Sequence, residues 1–321
     1  MDVAVVGLGV MGRNHVRVLR ELVEVDEIYG VDPDSNARSD VERRHRITTV
    51  TSIKEVLLLG VDAAIVATPS SFHGDHSIAL LRHGIPTLIE KPIASTVDEA
   101  NRIIEAAGDT ISAVGHVERF NPAIIATRDR LDSIGRLLAC TTRRIGPYPS
   151  RVRDVGVLMD LLTHDVDAIR YLSGDEIVEL NGTCTRALGP VEDQVFAVGR
   201  TSSGVVISME ASWLSPAKIR EVRLVGADGT LRGDTLLQQV YLEENSIGNT
   251  DWEALATFRG VGEGNVTQFA IPREEPLRAE LRNFLQAVRG DAPGMTVPLA
   301  DGLEAVRLAS MLLPTAIALA S

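Results

Sequence analysis

Short apolar runs alternate with amphipathic stretches through the first 117 residues. Val3-Ala4-Val5-Val6, Glu27–Val31, Asp62–Ala67, Pro86–Ile89 and Ile111–Val114 are each too short for a membrane or a buried helix. They suit strands of a parallel sheet covered on both faces. Between them, Val16, Leu19 and Leu22 recur at helical spacing, as do the apolar positions of Ser77–Leu81 and Val97–Ala106. Strand–helix alternation of this kind predicts a doubly wound α/β Rossmann domain over residues 1–117.

The pattern changes after about residue 120. A helix from Pro122 to about Leu131, a strand near Arg136–Arg144 and a turn with Gly146, Pro147 and Pro149 lead into a helix from about Val155 to Tyr171. Strand-like runs then follow without helices between them: Ile177–Thr185, Gln194–Arg200, Gly204–Ala211 and Lys218–Val225. Ser202-Ser203-Gly204 and Asp228-Gly229 mark the turns. Residues 243–266 show little periodicity and read as a loop or irregular strands. Helices from about Pro276 to Val288 and Asp301 to Ala320 close the chain. Residues 118–321 thus form an α+β domain with an open, mostly antiparallel sheet.

Composition narrows the function. A net charge of -12, spread without an acidic tail, disfavours nucleic acid or an anionic membrane as partner. No apolar stretch reaches the ~20 residues a membrane helix needs. Met1-Asp2 runs straight into a strand with no basic lead, unlike a signal peptide. Cys140 and Cys184 have no metal or redox spacing, which fits reduced thiols in a cytoplasm.

Gly7-Leu8-Gly9-Val10-Met11-Gly12 is a GxGxxG turn between a strand and a helix, the context in which that pattern binds a dinucleotide. Gly7 makes the turn, Gly9 admits the pyrophosphate, and Gly12 lets helix and strand pack. The helix N-terminus offers free N–H groups to the phosphates. Asp32, twenty residues after Gly12, is placed to accept from the adenine ribose hydroxyls. Pro33, Asp34 and Ser35 follow it rather than an arginine, which favours NAD over NADP. The alternative for Asp32 is a turn former before Pro33. Ala67-Thr68-Pro69 and His73 follow a strand and border the same crevice, as do Glu90 and Lys91. Val10 and Met11 complete the expected cofactor contacts. His73 and His76 have the spacing of a metal pair but no third ligand, so no metal is expected.

Lys91 is one of only three lysines, against 29 arginines. A lysine amine can give up its proton when burial or neighbours lower its pKa, and an arginine cannot. Asp160 and His164 lie four apart on one face of their predicted helix, with Asp167 and Tyr171 continuing the stripe. Val157, Leu161, Ala168 and Leu172 form its apolar side. Alone, such a face is an ordinary solvated i,i+4 pair. Beside a nicotinamide site, an imidazole oriented by a carboxylate suits removal of a hydroxyl proton.

These features together resemble the Gfo/Idh/MocA family of glucose-fructose oxidoreductase-like dehydrogenases over nearly the whole chain. The resemblance rests on the glycine turn, Ala67-Thr68-Pro69, Glu90-Lys91-Pro92 and the Asp160–His164 helix. It implies an NAD-dependent oxidoreductase acting on a sugar hydroxyl, with Lys91, Asp160 and His164 as catalytic residues. It also implies a homodimer or homotetramer built through the second domain's sheet. Gly115–Pro122 and Arg151–Val157 look like segments of the family's UDP-N-acetylglucosamine 3-dehydrogenases. That match adds Arg119, Asn121, Arg151 and Arg153 to Lys91, Asp160 and His164 as substrate contacts. Arg143, Arg144, Arg151 and Arg153 surround the Gly-Pro turn, and arginine forks suit a diphosphate. The chain departs from the family pattern at Leu161-Leu162-Thr163, where smaller residues are expected. The alternatives are an inositol or free-sugar dehydrogenase and a non-catalytic NAD-binding regulator on the same scaffold.

Overall fold

A computed structural model describes residues 1–149, 155–245, 264–291, 295–313 and 316–318. The chain divides into two compact units. The first gathers Met1–Phe120, Arg153–Asp167 and Glu274–Leu313, and the second Asn121–Val152, Ala168–Arg273 and Pro314–Ser321. A single cut after residue 117 therefore describes only the first segment, because later segments return to the first unit.

The first unit holds a six-stranded parallel sheet. Its strands are β1 (Asp2–Val6), β2 (Glu27–Val31), β3 (Thr48–Val50), β4 (Ala63–Val66), β5 (Thr87–Glu90) and β6 (Ser112–Gly115), in the order β3-β2-β1-β4-β5-β6. The helices between them are α1 (Val10–Leu19), α2 (Ser35–His45), α3 (Ile53–Leu59), α4 (His73–Leu81) and α5 (Val97–Ala107). The strand runs are buried on both faces, Val3 to Val6 and Ala63 to Val66 almost completely, as expected where helices cover both sides. Burying each valine or isoleucine of these runs favours folding by roughly 1.5–3 kcal/mol. Local chemistry sets the helix ends. The Asp34 side chain accepts from Asn36 N–H and the Thr96 hydroxyl from Glu99 N–H, while Gly60 ends α3 in a left-handed conformation.

Strand order reverses between β1 and β4. The loops that leave their carboxyl ends therefore flank the crevice where such sheets bind ligands. Two late helices complete this unit: α8 (Pro276–Arg289) and α9 (Leu299–Leu312). Leu277, Leu281, Phe284 and Leu285 of α8 join the core with Val3, Val5, Val16 and Leu19. The expected helix to Ala320 stops at Leu312, because Pro314 lacks an N–H and disfavours helix before it.

The second unit is built on a nine-stranded sheet. Its strands are β7 (Leu137–Ile145), β8 (Ile177–Arg186), β9 (Gln194–Thr201), β10 (Val206–Ser212), β11 (Ile219–Gly226), β12 (Gly229–Asp234), β13 (Gln239–Glu244), β14 (Val266–Phe269) and β15 (Ala316–Ala318). The order is β14-β13-β12-β11-β7-β10-β9-β8-β15. All pairs are antiparallel except β7 with β10 and β8 with β15. Helix α6 (Pro122–Arg128) opens with Pro122 in its first turn, capped by Asn121. Cys140 and Cys184 are both buried and unbridged, and burial pushes the Cys140 thiol up to about 12. No helix among the described residues is long and apolar enough to cross a membrane.

The segment predicted as one helix from Val155 to Tyr171 begins differently. Residues 158–162 form one π turn, closed by the Thr163 N–H on the Leu158 carbonyl, and helix α7 (Thr163–Ser173) follows. The bulky Leu161, Leu162 and Thr163 are all buried here. Single π turns inside helices concentrate at functional sites.

Candidate active site

The glycine turn leaves β1 and enters α1 with no side chain capping the helix. Gly7 has φ of 93°, and a Cβ there would stand 2.8 Å from the backbone of Ala67 and Thr68. The loops after β1 and β4 thus touch at the switch point, and only glycine permits it. A Cβ on Gly12 would lie 1.8 Å from the Gly7 carbonyl oxygen, whereas one on Gly9 would meet nothing within 4 Å. Gly12 is fixed by helix–strand packing. Gly9 leaves its side of the turn open to a pyrophosphate. Asp32, at the end of β2, accepts from Leu8 N–H at 2.8 Å and Asp34 N–H at 2.9 Å. It braces the turn from the end of β2, the position from which such folds meet an adenine ribose. Arg38 turns its Nη1 back on the carbonyls of Asp32 and Pro33, at 2.7 and 3.0 Å.

Lys91 follows β5 directly. Its Nζ donates to Asp160 Oδ1 at 2.8 Å and to the Asp160 carbonyl at 2.7 Å, so the π turn presents both acceptors to one amine. The two side chains are 17% and 25% exposed, half-sheltered but reachable. His164 is buried on the next turn of the same segment, 6.3 Å edge-to-face from the His116 ring that follows β6. Burial lowers the His116 imidazole below its usual range, and both its nitrogens lack a partner among the described residues. Asp167, one turn beyond His164, is fully buried on the Arg119 guanidinium. Of this face, His164 and Asp167 are buried and Asp160 is paired, so its first-unit part is not an ordinary solvated stripe.

Residues 1–115 match the oxidoreductase family with an NAD-binding Rossmann fold, and residues 129–232 match the GFO/IDH/MocA C-terminal domain. The chain is 30% identical to the inositol 2-dehydrogenase of Acidothermus cellulolyticus, over 71% of each chain. This chain belongs to the Gfo/Idh/MocA family. It is also 27% identical to the UDP-N-acetylglucosamine 3-dehydrogenase of Acidithiobacillus ferrooxidans, over 91% of this chain and 90% of that one. A solved structure of the enzyme of that name from the same organism superposes with a TM-score of 0.86, at 23% identity, covering 98% and 97% of the two chains. As a Gfo/Idh/MocA protein the chain is an NAD-dependent oxidoreductase acting on CH–OH groups. The open Gly9, the uncapped start of α1 and the Asp32 carboxylate fit NAD.

Several expected contacts have other partners. The His73 ring lies between the carbonyls of Thr68 and Pro92, 2.8 Å from each, and is buried. It ties the loops after β4 and β5 together, with both ring nitrogens on backbone carbonyls. Arg119 is not an open arm for a substrate. It donates to Asp167 at 3.0, 2.9 and 2.5 Å and to Asp301 at 2.7 Å, and is buried. Asn121 caps α6 through Ala123 N–H and donates to the Thr235 carbonyl, so both ends of its amide have structural partners. Arg143 pairs with Glu210, and its neighbour Arg144 is buried on the opposite face of β7. These two do not converge on one ligand. Arg151 and Arg153 lie outside the described residues. Among the described residues no three His, Cys, Asp or Glu side chains gather as a metal site.

Other groups in this unit had no sequence signal of their own. His15, three residues after Gly12, binds Glu90 at 2.8 Å. Glu280 is buried on α8, with neither carboxylate oxygen bonded among the described residues. Burial, then the charges of Glu90 and Asp167, hold its pKa well above the usual range. His15 lies on the apolar side of α1 and Glu280 on that of α8, which was the only available hint.

Proposed function

We propose that this chain oxidises a sugar hydroxyl with NAD, the 3-hydroxyl of UDP-N-acetylglucosamine or a related nucleotide sugar. The hold of Asp160 on the Lys91 amine carries the reading. Two Nζ–H bonds go to Asp160 and the third substituent is Cε, so one tetrahedral direction remains. In the neutral amine that direction holds the lone pair, and in the ammonium it holds an N–H. A hydroxyl lying there gives its proton to Lys91, and the new N–H then faces the carbonyl oxygen that forms. NAD, when bound, supplies the acceptor for the hydride leaving the same carbon. Asp160 orients the amine and balances its charge once protonated. His164, one turn along the segment, is the alternative acceptor of that one proton. The glycine turn, Asp32, Ala67 and Thr68 hold the cofactor.

Likeness to the UDP-N-acetylglucosamine enzyme over nine-tenths of both chains supports the nucleotide sugar. A polyol or free sugar is the second reading. Likeness to an inositol 2-dehydrogenase favours it, and so does the failure of Arg143 and Arg144 to form a diphosphate clamp. Incubating the protein with NAD and a panel of UDP-sugars, free sugars and inositols, followed by nicotinamide absorbance, separates them. Preferential reduction of NAD by UDP-N-acetylglucosamine is expected. Preference for a polyol assigns the second reading, and silence across the panel favours a regulator.

The active protein is a homodimer or homotetramer through the second unit's sheet, in a reducing cytoplasm. Phe196 and Val198 of β9 and Val206 of β10 share one sheet face and are 47%, 56% and 57% exposed. Exposed apolar side chains set among Arg200, Ser208 and Glu210 on this face suit a subunit interface.

A further inference from the structure

Within the first unit, a buried side-chain pair stands behind Lys91 and takes no part in the proton transfer. His15 lies on α1 among Val16, Val18 and Leu19, all with no exposed surface. Its Nε2 is 2.8 Å from Glu90 Oε1. The other oxygen, Oε2, accepts from the Lys91 backbone N–H at 3.1 Å. One carboxylate thus ties the Lys91 backbone to the helix that begins at the glycine turn.

The chemistry of the pair fixes its direction. Burial works against a charge on Glu90. The hydrogen bond and charge of His15, then the charges of Lys91 and His73, nevertheless hold its carboxyl below the usual range. Ionised Glu90 has acceptors only, so His15 donates through Nε2. The groups acting on Glu90 are His15 of α1, Lys91 of its own segment, His73 of α4 and Glu280 of α8. Burial holds the Glu280 carboxyl well above its usual range and the partners of Glu90 hold its carboxyl below it, so Glu90 is the readier of the two to carry the charge. A leucine at position 15 would meet the packing needs of α1 without bringing a polar atom into the core. The imidazole has its use in the hydrogen bond to Glu90.

We infer that His15 is a positioning residue for Lys91: it fixes Glu90, and Glu90 fixes the backbone from which the amine reaches Asp160. This rests on the reading of Lys91 as the proton acceptor. Without His15, one Glu90 oxygen is buried with no donor. The carboxyl then takes up a proton, and its grip on the Lys91 amide loosens. Displacement of a reacting group by about 1 Å can cost on the order of 100-fold in rate.

Two variants test the link. His15→Gln keeps a donor at the end of its side chain, and His15→Leu keeps none. His15→Leu should lower kcat by roughly 10- to 100-fold with the KM values for NAD and sugar unchanged, and His15→Gln should recover most of that loss. A second readout needs no turnover. The infrared difference spectrum of His15→Leu minus wild type, in neutral buffer, should show the carbonyl stretch of a new protonated carboxylic acid. The band should be missing from His15→Gln and from the double variant His15→Leu/Glu90→Gln. Absence of the band in His15→Leu, or a wild-type kcat in that variant, overturns the inference. So does an equal loss of kcat in the leucine and glutamine variants. If the wild-type protein oxidises nothing, the dehydrogenase reading fails, and the infrared result still decides whether His15 holds Glu90.

Discussion

Replacing Arg119 by Met separates a structural arginine from a substrate-binding one. The guanidinium makes three contacts with Asp167, whose side chain is 1% exposed, and one with Asp301, whose side chain is 20% exposed. Burial works against the charge of Arg119, but the two carboxylates more than offset it and raise its pKa. Methionine fills most of the stem volume and removes the charge. Asp301 can regain water. Asp167 cannot, so the cost comes mainly from one stranded buried carboxylate. Removing one partner of a buried pair costs about 3–5 kcal/mol. For a unit of this size that lowers Tm by about 6–20 °C. Replacing Asp167 by Leu in the same chain should return much of the loss, since the double variant buries no charge. Thermal unfolding followed by circular dichroism measures the stability, and initial rates give KM for the sugar. A large drop in Tm with KM nearly unchanged is expected. A wild-type Tm with a strongly raised KM would refute the structural assignment and return Arg119 to the substrate.

Two other substitutions probe the cofactor turn and the buried acid. Asp32→Ala should weaken NAD more than the sugar, by about 1–3 kcal/mol on titration, since it removes the ribose acceptor and the brace on Leu8 N–H together; equal weakening of both ligands would make Asp32 a turn residue only. Glu280 holds its proton in the folded chain beyond the pH at which the unfolded carboxyl, near 4.3, releases it. The stability from its neutral form is complete in acid and drains away as pH rises through the elevated range. Glu280→Gln should therefore raise Tm at pH 8, with the gap narrowing as the pH falls towards 5. A gap independent of pH would contradict the burial of a neutral acid.

Much of the first unit was legible because its signals are local. The turn from Gly7 to Gly12 lies within one strand–helix junction, and the strands of a parallel sheet are continuous apolar runs. The tie between Lys91 and Asp160 was accessible only as a meeting of two motifs. Its detail was not, because a π turn brings the Asp160 carbonyl and carboxylate to the same amine, and periodicity cannot distinguish that turn from ordinary helix. Arg119, Asp167 and Asp301 come from three distant parts of the chain, as do His15, Glu90 and Glu280. Each sits beside apolar neighbours that explain its surroundings and say nothing of its partner. Arg119 and Asn121 lie in a segment resembling a substrate loop, and their partners, Asp167 and Asp301 for one, Ala123 N–H and the Thr235 carbonyl for the other, carry no mark in that local pattern. Short β3 lacks a clear apolar run, and the return of residues 153–167 and 274–313 to the first unit leaves no mark on composition.

In the proposed reaction the Lys91 amine, held by Asp160, receives the substrate proton. Single-turnover oxidation of the preferred sugar by Lys91→Met, with NAD affinity measured on the same sample, tests it most directly. Hydride transfer should slow by about 10²–10⁴-fold while NAD binds as in the wild type. Transfer at the wild-type rate would contradict the account.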